Sequence, residues 1–389
     1  MVFYVVKKRA KKELAAKMKK KKFMLIGPKT DAVVNFRGDL IRDIKAKGYN
    51  VVVVVPEDNN KDFFEKNNIK VRLVKLNKNS LSPTNAMNYC KDLQRIIEEE
   101  KPDKVFSFTI KPVIFGSIAA QRAGVKEIYS LICGLGMIFC SETLRAKTLR
   151  IVGCKLYKYA LKYNTKVIFQ NQDDIDEFVG RGLVEREKCE LVNGSGVNLK
   201  KFKRNKVPRD YVKFLMVSRV LKEKGVMEYF KAANMVKEKY PEARFAYIGA
   251  IDKNKNAIKI EALKPYIEDG VVEYIPETRE VEKYVAKCSV FVLPTYYREG
   301  IPRTILEALA MGRPVLTTDT PGCRETVVEG ENGWFVKVKR ADSLAEKMIW
   351  AIEHQDKLQK MGNKSYKMCL DKFTIEKINK RMLEIMRVK

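Results

Sequence analysis

Two glutamates, Glu299 and Glu307, stand eight positions apart in Leu293–Pro314, where a buried apolar run gives way to a polar loop and then a helix. An ionised carboxylate accepts hydrogen bonds from vicinal hydroxyls, which suits polyhydroxylated rings. The loop Gly300-Ile301-Pro302-Arg303 leads into the helix, with Pro302 near its first position and Gly312 past its end. Backbone amides at Gly300 to Arg303, with the first turn through Thr304, favour an anion such as phosphate. Glu307 admits a second reading, an i,i+4 pair with Arg303, but it sits among Ile305, Leu306, Ala308 and Leu309.

The chain has a single histidine, His354, in a polar stretch that reads as an exposed helix face. A Ser-His-Asp triad, a Cys-His pair or a multi-histidine zinc site each needs a well-placed imidazole. Chemistry therefore falls to carboxylates, basic side chains and backbone amides. No D-x-D pair stands in a metal-ligand context, since Asp173, Asp174 and Asp176 read as the N-terminal face of a helix. No metal site and no cofactor are expected. The eight cysteines (90, 133, 140, 154, 189, 288, 323, 369) contain no C-x-x-C pair and read as buried free thiols of a reducing compartment.

The elements that must carry these residues are those of an α/β protein. The 389 residues, 46% apolar and 32% charged, suffice for two or three domains with full cores. Strands are expected at Phe23–Ile26, Asn50–Val55, Val71–Leu76, Lys104–Ser107, Ile128–Cys133 and Lys166–Gln170, with amphipathic helices between. A stretch of Gly, Lys, Arg and Pro follows, from Asn193 to Val197 and Lys200 to Asp210. Strands resume at Phe214–Val217, Ala243–Ile248, Val271–Ile275, Ser289–Leu293, Pro314–Thr317 and Gly333–Val336, and Thr374–Val388 closes as a helix. Two doubly wound parallel-sheet halves imply a ligand cleft between the carboxyl ends of their strands. The expected division is 1–22 as a basic extension, 23–198 and 199–370 as two Rossmann-like domains, and 371–389 as a C-terminal helix packing back toward the first. No internal repeat of 20–50 residues is visible.

The 77 Lys and Arg against 48 Asp and Glu give a formal charge of +29. Ten of the sixteen residues from Lys7 to Lys22 are basic, behind the apolar Met1–Val6. Apolar insertion plus lysines over acidic lipid would make residues 1–22 an interfacial anchor, and a solvated extension is the other reading. No nucleic-acid signature accompanies the charge. No run reaches the ~18 apolar residues of a membrane span. The order of apolar and basic residues at the N-terminus is the reverse of a secretory signal. A cytoplasmic protein, peripheral on a membrane face in the anchor reading, is the expectation.

The segment E-G-I-P-R-T-I-L-E-A-L-A-M-G-R-P-V, with Glu299 and Glu307 as its acids, resembles the donor-site signature of the retaining family 4 glycosyltransferases of the GT-B architecture. Ser218-Arg219-Val220-Leu221-Lys222-Glu223-Lys224-Gly225 is similar to the family's Arg/Lys segment, and Asn193 to Phe202 to its hinge. Pro321–Thr326 and Gly330–Trp334 resemble its closing segments. Tyr296–Arg303 with Pro321–Thr326, together with Asn35-Phe36-Arg37 and Gly134-Leu135-Gly136, resemble the bacterial subgroup acting on polyprenyl-diphosphate-linked glycans. Ser218 departs from the family's usual glycine, and the first loop has only Gly27-Pro28-Lys29.

The resemblance implies two domains facing across a cleft and transfer of a hexose or N-acetylhexosamine from a UDP-sugar, without metal and with retention. The acceptor would be a glycan, lipid-diphosphate-linked in surface polysaccharide or glycoprotein assembly. Glu299, Arg219 and Lys224 would be catalytic, the two cations stabilising charge on the leaving diphosphate. Glu307, Gly300, Ile301, Pro302, Arg303 and Thr304 would bind the donor. Ile275 and Arg279, in Tyr274–Arg279, would flank the base, or form a plain turn. Asn35, Arg37, Gly134, Gly136, Arg298 and Arg324 are acceptor or diphosphate candidates. Of the basic set Arg298, Arg303 and Arg324, at least one would contact a diphosphate by bidentate pairing, the other reading being surface charge or a pair with Glu325. Two other functions stay open: transfer to a soluble or protein acceptor, and a non-catalytic polyanion-binding scaffold. A dinucleotide-dependent oxidoreductase lacks the G-x-G-x-x-G it would need after the first strand.

Overall fold

The computed structural model describes residues 21–76, 82–136, 139, 143–251 and 257–389. The basic extension expected over 1–22 lies outside them apart from Lys21 and Lys22, and so does Cys140. Two compact units are present. One comprises the described residues up to Leu131 with Leu156–Val167 and Leu383–Lys389; the other comprises Ile132–Lys155 and Ile168–Met382.

The first sheet contains β1 (Lys22–Ile26), β2 (Asn50–Val55), β3 (Lys70–Leu73), β4 (Lys104–Phe108), β5 (Glu127–Ile132), β6 (Lys166–Phe169) and β7 (Cys189–Leu191), ordered β3-β2-β1-β4-β5-β6-β7. The second contains β8 (Lys213–Val217), β9 (Arg244–Ile248), β10 (Glu273–Ile275), β11 (Val290–Leu293), β12 (Val315–Thr318) and β13 (Gly333–Val336), ordered β10-β9-β8-β11-β12-β13. Numbered from its own first strand, each sheet winds 3-2-1-4-5-6, and the first adds one more. Pairing is parallel from β1 to β5 and throughout the second sheet.

Composition explains why these segments are strands. In β2 the five valines 51–55 are all buried, as expected of a parallel strand covered by helices on both faces. Full burial of such a side chain is worth about 1.5 kcal/mol or more over leaving it in water. The expected strands all form, Asn50–Val55 and Gly333–Val336 with the expected ends and the others with ends shifted by at most three residues, whereas β7 was not anticipated. Residues 199–210 hold neither helix nor strand, as the Lys/Arg/Pro composition implied. The C-terminal helix runs Ile375–Ile385. Ahead of it, Val197 bridges to Thr374, and Gly196, at φ +74°, packs so closely that a Cβ would lie 2.8 Å from Ile375 Cα.

Two expectations need correction. His354 is not on an exposed helix face. It sits between helices Ala341–Glu353 and Gln355–Lys372, its ring stacked on Trp350 at 4.3 Å and Nδ1 2.9 Å from the Trp350 carbonyl. The seven described cysteines are free, but Cys133, Cys154 and Cys189 are only half-buried.

Candidate active site

In doubly wound sheets, ligands gather at the carboxyl ends of the strands where the winding reverses. In the second sheet that point lies between β8 and β11. The loop after β8 carries Ser218 to Lys224, and the loop after β11 carries Pro294 to Pro302. The peptide carbonyl of Glu223 ties the two together. It accepts from the amides of Tyr296 and Tyr297 at 2.9 and 3.1 Å and from Thr295 Oγ1 at 3.0 Å. Gly225, at φ +76°, lets the chain turn into helix Val226–Lys239, and a Cβ there would lie 2.2 Å from the Pro294 carbonyl oxygen. This docking brings the Lys224 ammonium onto the Glu299 carboxylate, in an ion pair largely shielded from solvent, with Lys224 5.3 Å above the Tyr297 ring. Arg219 lies at the head of the same turn, its carbonyl bonded by Ser218 Oγ.

The Glu299–Gly300 peptides are gripped from several sides. Buried Asn171 donates through Nδ2 to the carbonyls of Glu299 (3.2 Å) and Gly300 (3.0 Å). Its Oδ1 caps helix Gln172–Gly180 by accepting from the Asp174 amide at 2.8 Å. Gly134, at φ +95°, comes so close that a Cβ would sit 2.4 Å from Gly300 N. A Cβ on Gly300 would itself lie 1.9 Å from Gln170 Oε1, and one on Gly322 would lie 1.6 Å from the Gly300 carbonyl oxygen. The Gly136 amide donates to the Arg298 carbonyl at 3.2 Å.

Helix Arg303–Ala310 starts after Pro302, whose ring offers no side-chain cap. The buried Glu307 pairs with Arg303 at 3.1 Å. Burial pushes the Glu307 carboxyl up, while Arg303 and, more weakly, Lys201 pull it down. Lys201 also donates to the Arg279 carbonyl at 3.0 Å and pairs with Glu282 at 3.5 Å. It thereby joins the loop after β10, where Ile275 ends the strand, to the surroundings of Glu307. Ile301 is buried and Thr304 half-buried.

Arg298 is held by carboxylates of helix Gln172–Gly180, and Arg324 by one from that helix and one from the loop after β12. Arg298 reaches Glu177 at 3.1 Å and Asp174 at 3.5 Å, and Arg324 reaches Asp173 and Asp319, each at 2.9 Å. Arg324 thus has Asp173 and Asp319, not the neighbouring Glu325, as its partners. Asp174 is wholly buried, and its carboxyl is pushed up to about 7 by burial, against the pull of Arg298 and Asn171. Asn35 and Arg37 belong to the other unit, on helix Thr30–Ala46. Asn35 is exposed, and Arg37 is buried with its guanidinium 5.5 Å from the Phe108 ring centre.

The family described as "Glycosyl transferases group 1" matches residues 197–368, and "Glycosyl transferase 4-like" matches residues 28–171. The chain is a glycosyltransferase of the GT-B class. Among curated proteins, this glycosyltransferase is 28% identical to the N,N'-diacetylbacillosaminyl-diphospho-undecaprenol alpha-1,3-N-acetylgalactosaminyltransferase of Campylobacter jejuni, over 83% of this chain and 87% of that one. It is 24% identical to the UDP-Gal:alpha-D-GlcNAc-diphosphoundecaprenol alpha-1,3-galactosyltransferase of Escherichia coli, over 66% and 68%. Among solved structures, a glycosyltransferase from Rickettsia africae superposes with a TM-score of 0.76 at 18% identity, covering 95% and 98% of the two chains. HepE of Anabaena, solved with UDP and glucose, superposes at 0.74 and 19%, covering 94% and 99%.

Sequence reasoning missed three features of the enzyme. Asn171 carries an N-cap signature and nothing that marks its hold on the Glu299 loop. Lys201 was one lysine among many in a basic linker. Thr109, at φ 69° and ψ 160° just after β4, occupies backbone space almost reserved for glycine, and no neighbouring residue type signals it.

Proposed function

We propose that this glycosyltransferase moves a hexose or N-acetylhexosamine from a UDP-sugar to a polyprenyl-diphosphate-linked glycan, on the cytoplasmic face of a membrane, with retention and without a metal. The observation that carries the reading is the Lys224–Glu299 pair, held where the β8 and β11 loops interlock. The names of the Campylobacter and Escherichia relatives support the lipid diphosphate, and the UDP bound to HepE supports the nucleotide. Residues 199–370 would hold the donor and residues 23–198 the acceptor.

Glu299 and Glu307 would accept from sugar hydroxyls, and the amides entering helix Arg303–Ala310 would meet a phosphate. In the chemical step the bond from the anomeric carbon to the diphosphate oxygen breaks. The acceptor oxygen bonds the same face of that carbon, and its proton passes to the departing diphosphate. Arg219 and Lys224 stabilise the charge that grows there. A double displacement would instead need a carboxylate nucleophile under the anomeric carbon, and both glutamates are already committed to binding roles.

The test is a donor screen with polyprenyl-diphosphate and water-soluble acceptors, read by mass spectrometry, with the product anomer assigned by NMR and the reaction repeated in chelator. The expected result is UDP-sugar transfer to the lipid diphosphate, retained and insensitive to chelator. Transfer to soluble acceptors alone, an inverted product, or loss of activity in chelator would each overturn the corresponding part.

A further inference from the structure

Helix Leu144–Leu161 departs from the pattern of the other helices, whose apolar residues mostly face inward. Leu144, Ile151 and Val152 are exposed to 84, 59 and 51%. With the exposed Thr148 and Lys155 they stand at i, i+4, i+7, i+8 and i+11, so they line one stripe of the helix. Exposed Lys147 flanks the stripe, and one turn beyond Lys155 the side chains of Lys158 and Tyr159 are exposed as well. The opposite side is packed: the Arg150 guanidinium lies 6.0 Å from the Phe139 ring centre, and Cys154 is half-buried beside it.

The charge of the helix narrows what can cover this stripe. Its sequence LRAKTLRIVGCKLYKYAL contains five cations and no carboxylate. A second copy of the chain, laid stripe to stripe, would set lysine against lysine. A partner that is apolar within and anionic at its surface meets both features, and an acidic lipid bilayer is that partner. Among the described residues no helix is long and apolar enough to cross a membrane, so the contact lies in the interface plane.

We propose that helix Leu144–Leu161 docks this protein onto an anionic bilayer, with Leu144, Ile151 and Val152 entering the headgroup region and Lys147 and Lys155 over acidic lipid. The assignment concerns described residues only and does not depend on the anchor reading of residues 1–22. It rests on exposure and charge and stands whichever sugar or acceptor the enzyme uses.

The test is sedimentation of the full chain with vesicles of phosphatidylcholine alone and of phosphatidylcholine mixed with phosphatidylglycerol. Three pairs of substitutions are compared: Ile151→Ser with Val152→Ser, Lys147→Glu with Lys155→Glu, and Lys19→Glu with Lys20→Glu in the N-terminal stretch. Binding to the acidic vesicles is expected, weakened about 30-fold or more by the Lys147/Lys155 pair and comparably by the Ile151/Val152 pair. Thermal melting and transfer to a water-soluble acceptor analogue, or donor hydrolysis, should be unchanged in both. Vesicle binding lost with the Lys19/Lys20 pair but intact in both helix pairs overturns the proposal. Self-association abolished by the Ile151/Val152 pair, without vesicle binding, overturns it too and assigns the stripe to a second copy. Failure of the transferase reading would show as absent turnover and would leave the vesicle result intact.

Discussion

Replacing Asp174 with asparagine tests the buried network under the Glu299 loop. Asp174 is wholly enclosed, with Asn171 Nδ2 3.1 Å from its Oδ2 and Arg298 3.5 Å from its Oδ1; Asp173 and Glu177 add negative charge nearby. Burial pushes its carboxyl up to about 7 in the fold, against 3.8 for an unperturbed aspartate. Between those values the native state holds a proton that the unfolded chain has released, so stability falls as pH rises through this window. The full difference is about three units, or about 4 kcal/mol at 1.36 kcal/mol per unit. Asparagine keeps an oxygen acceptor for Asn171 but cannot ionise, and Arg298 retains Glu177 at 3.1 Å. Asp174→Asn should therefore gain on wild type by about 2–3 kcal/mol between pH 5 and pH 8. Urea denaturation followed by the fluorescence of Trp334 and Trp350, the only two tryptophans, measures it at both pH values. A stability gap that stays flat, or widens toward low pH, would refute the account, because Asp174 would then be ionised in the fold throughout. Turnover should survive, since the hold of Asn171 on the Glu299 and Gly300 carbonyls is kept.

Glu307→Gln removes a charge that burial disfavours, so the variant should melt higher than wild type, yet lose on the order of 10- to 100-fold in kcat/KM with the UDP-sugar. An unchanged kcat/KM would return Glu307 to a structural pair with Arg303. Gly134→Ala places a methyl 2.4 Å from Gly300 N and 2.6 Å from the Glu299 carbonyl carbon at φ +95°. It should cut turnover about 100-fold or more by shifting the loop. Gly124→Ala, at φ +77° with open space around it, should bear the same conformational cost of about 1–2 kcal/mol without that loss. Equal activity in the two alanine variants would refute the cradle.

What the sequence made legible divides along a physical line. Strands such as Asn50–Val55 and Gly333–Val336 are announced by their own residues, because burial on both faces demands a continuous apolar run. The strand Cys189–Leu191 is three residues with a glutamate at its centre, too short for any period to show. That both sheets wind 3-2-1-4-5-6 leaves no repeat in the residues either, since crossover handedness and burial set the order and many sequences satisfy them. The site divides in the same way. The Glu299–Glu307 spacing and the Arg219–Lys224 turn are local, and a local pattern can be read.

Arginine marks where such reading stops. Arg298, Arg303, Arg313 and Arg324 fall within one stretch, and by type alone each suits a phosphate. Three of them have carboxylates instead: Asp174 and Glu177 for Arg298, Glu307 for Arg303, and Asp173 and Asp319 for Arg324. Arg313 is fully buried and donates to the carbonyls of Val285, Ala286 and Asn205 at 2.9, 3.0 and 3.2 Å, closing the end of helix Val281–Val285. A guanidinium so committed braces the fold, and moving it would leave several buried groups unpaired. Arg303 differs because its partner, Glu307, is itself a candidate for sugar hydroxyls. In the proposed donor site a hydroxyl that draws on Glu307 would also change what Arg303 balances, and donor binding would then be coupled to the charge at the head of helix Arg303–Ala310. Substituting either residue should therefore alter the other's contribution, and a double-mutant cycle on donor affinity would resolve that coupling.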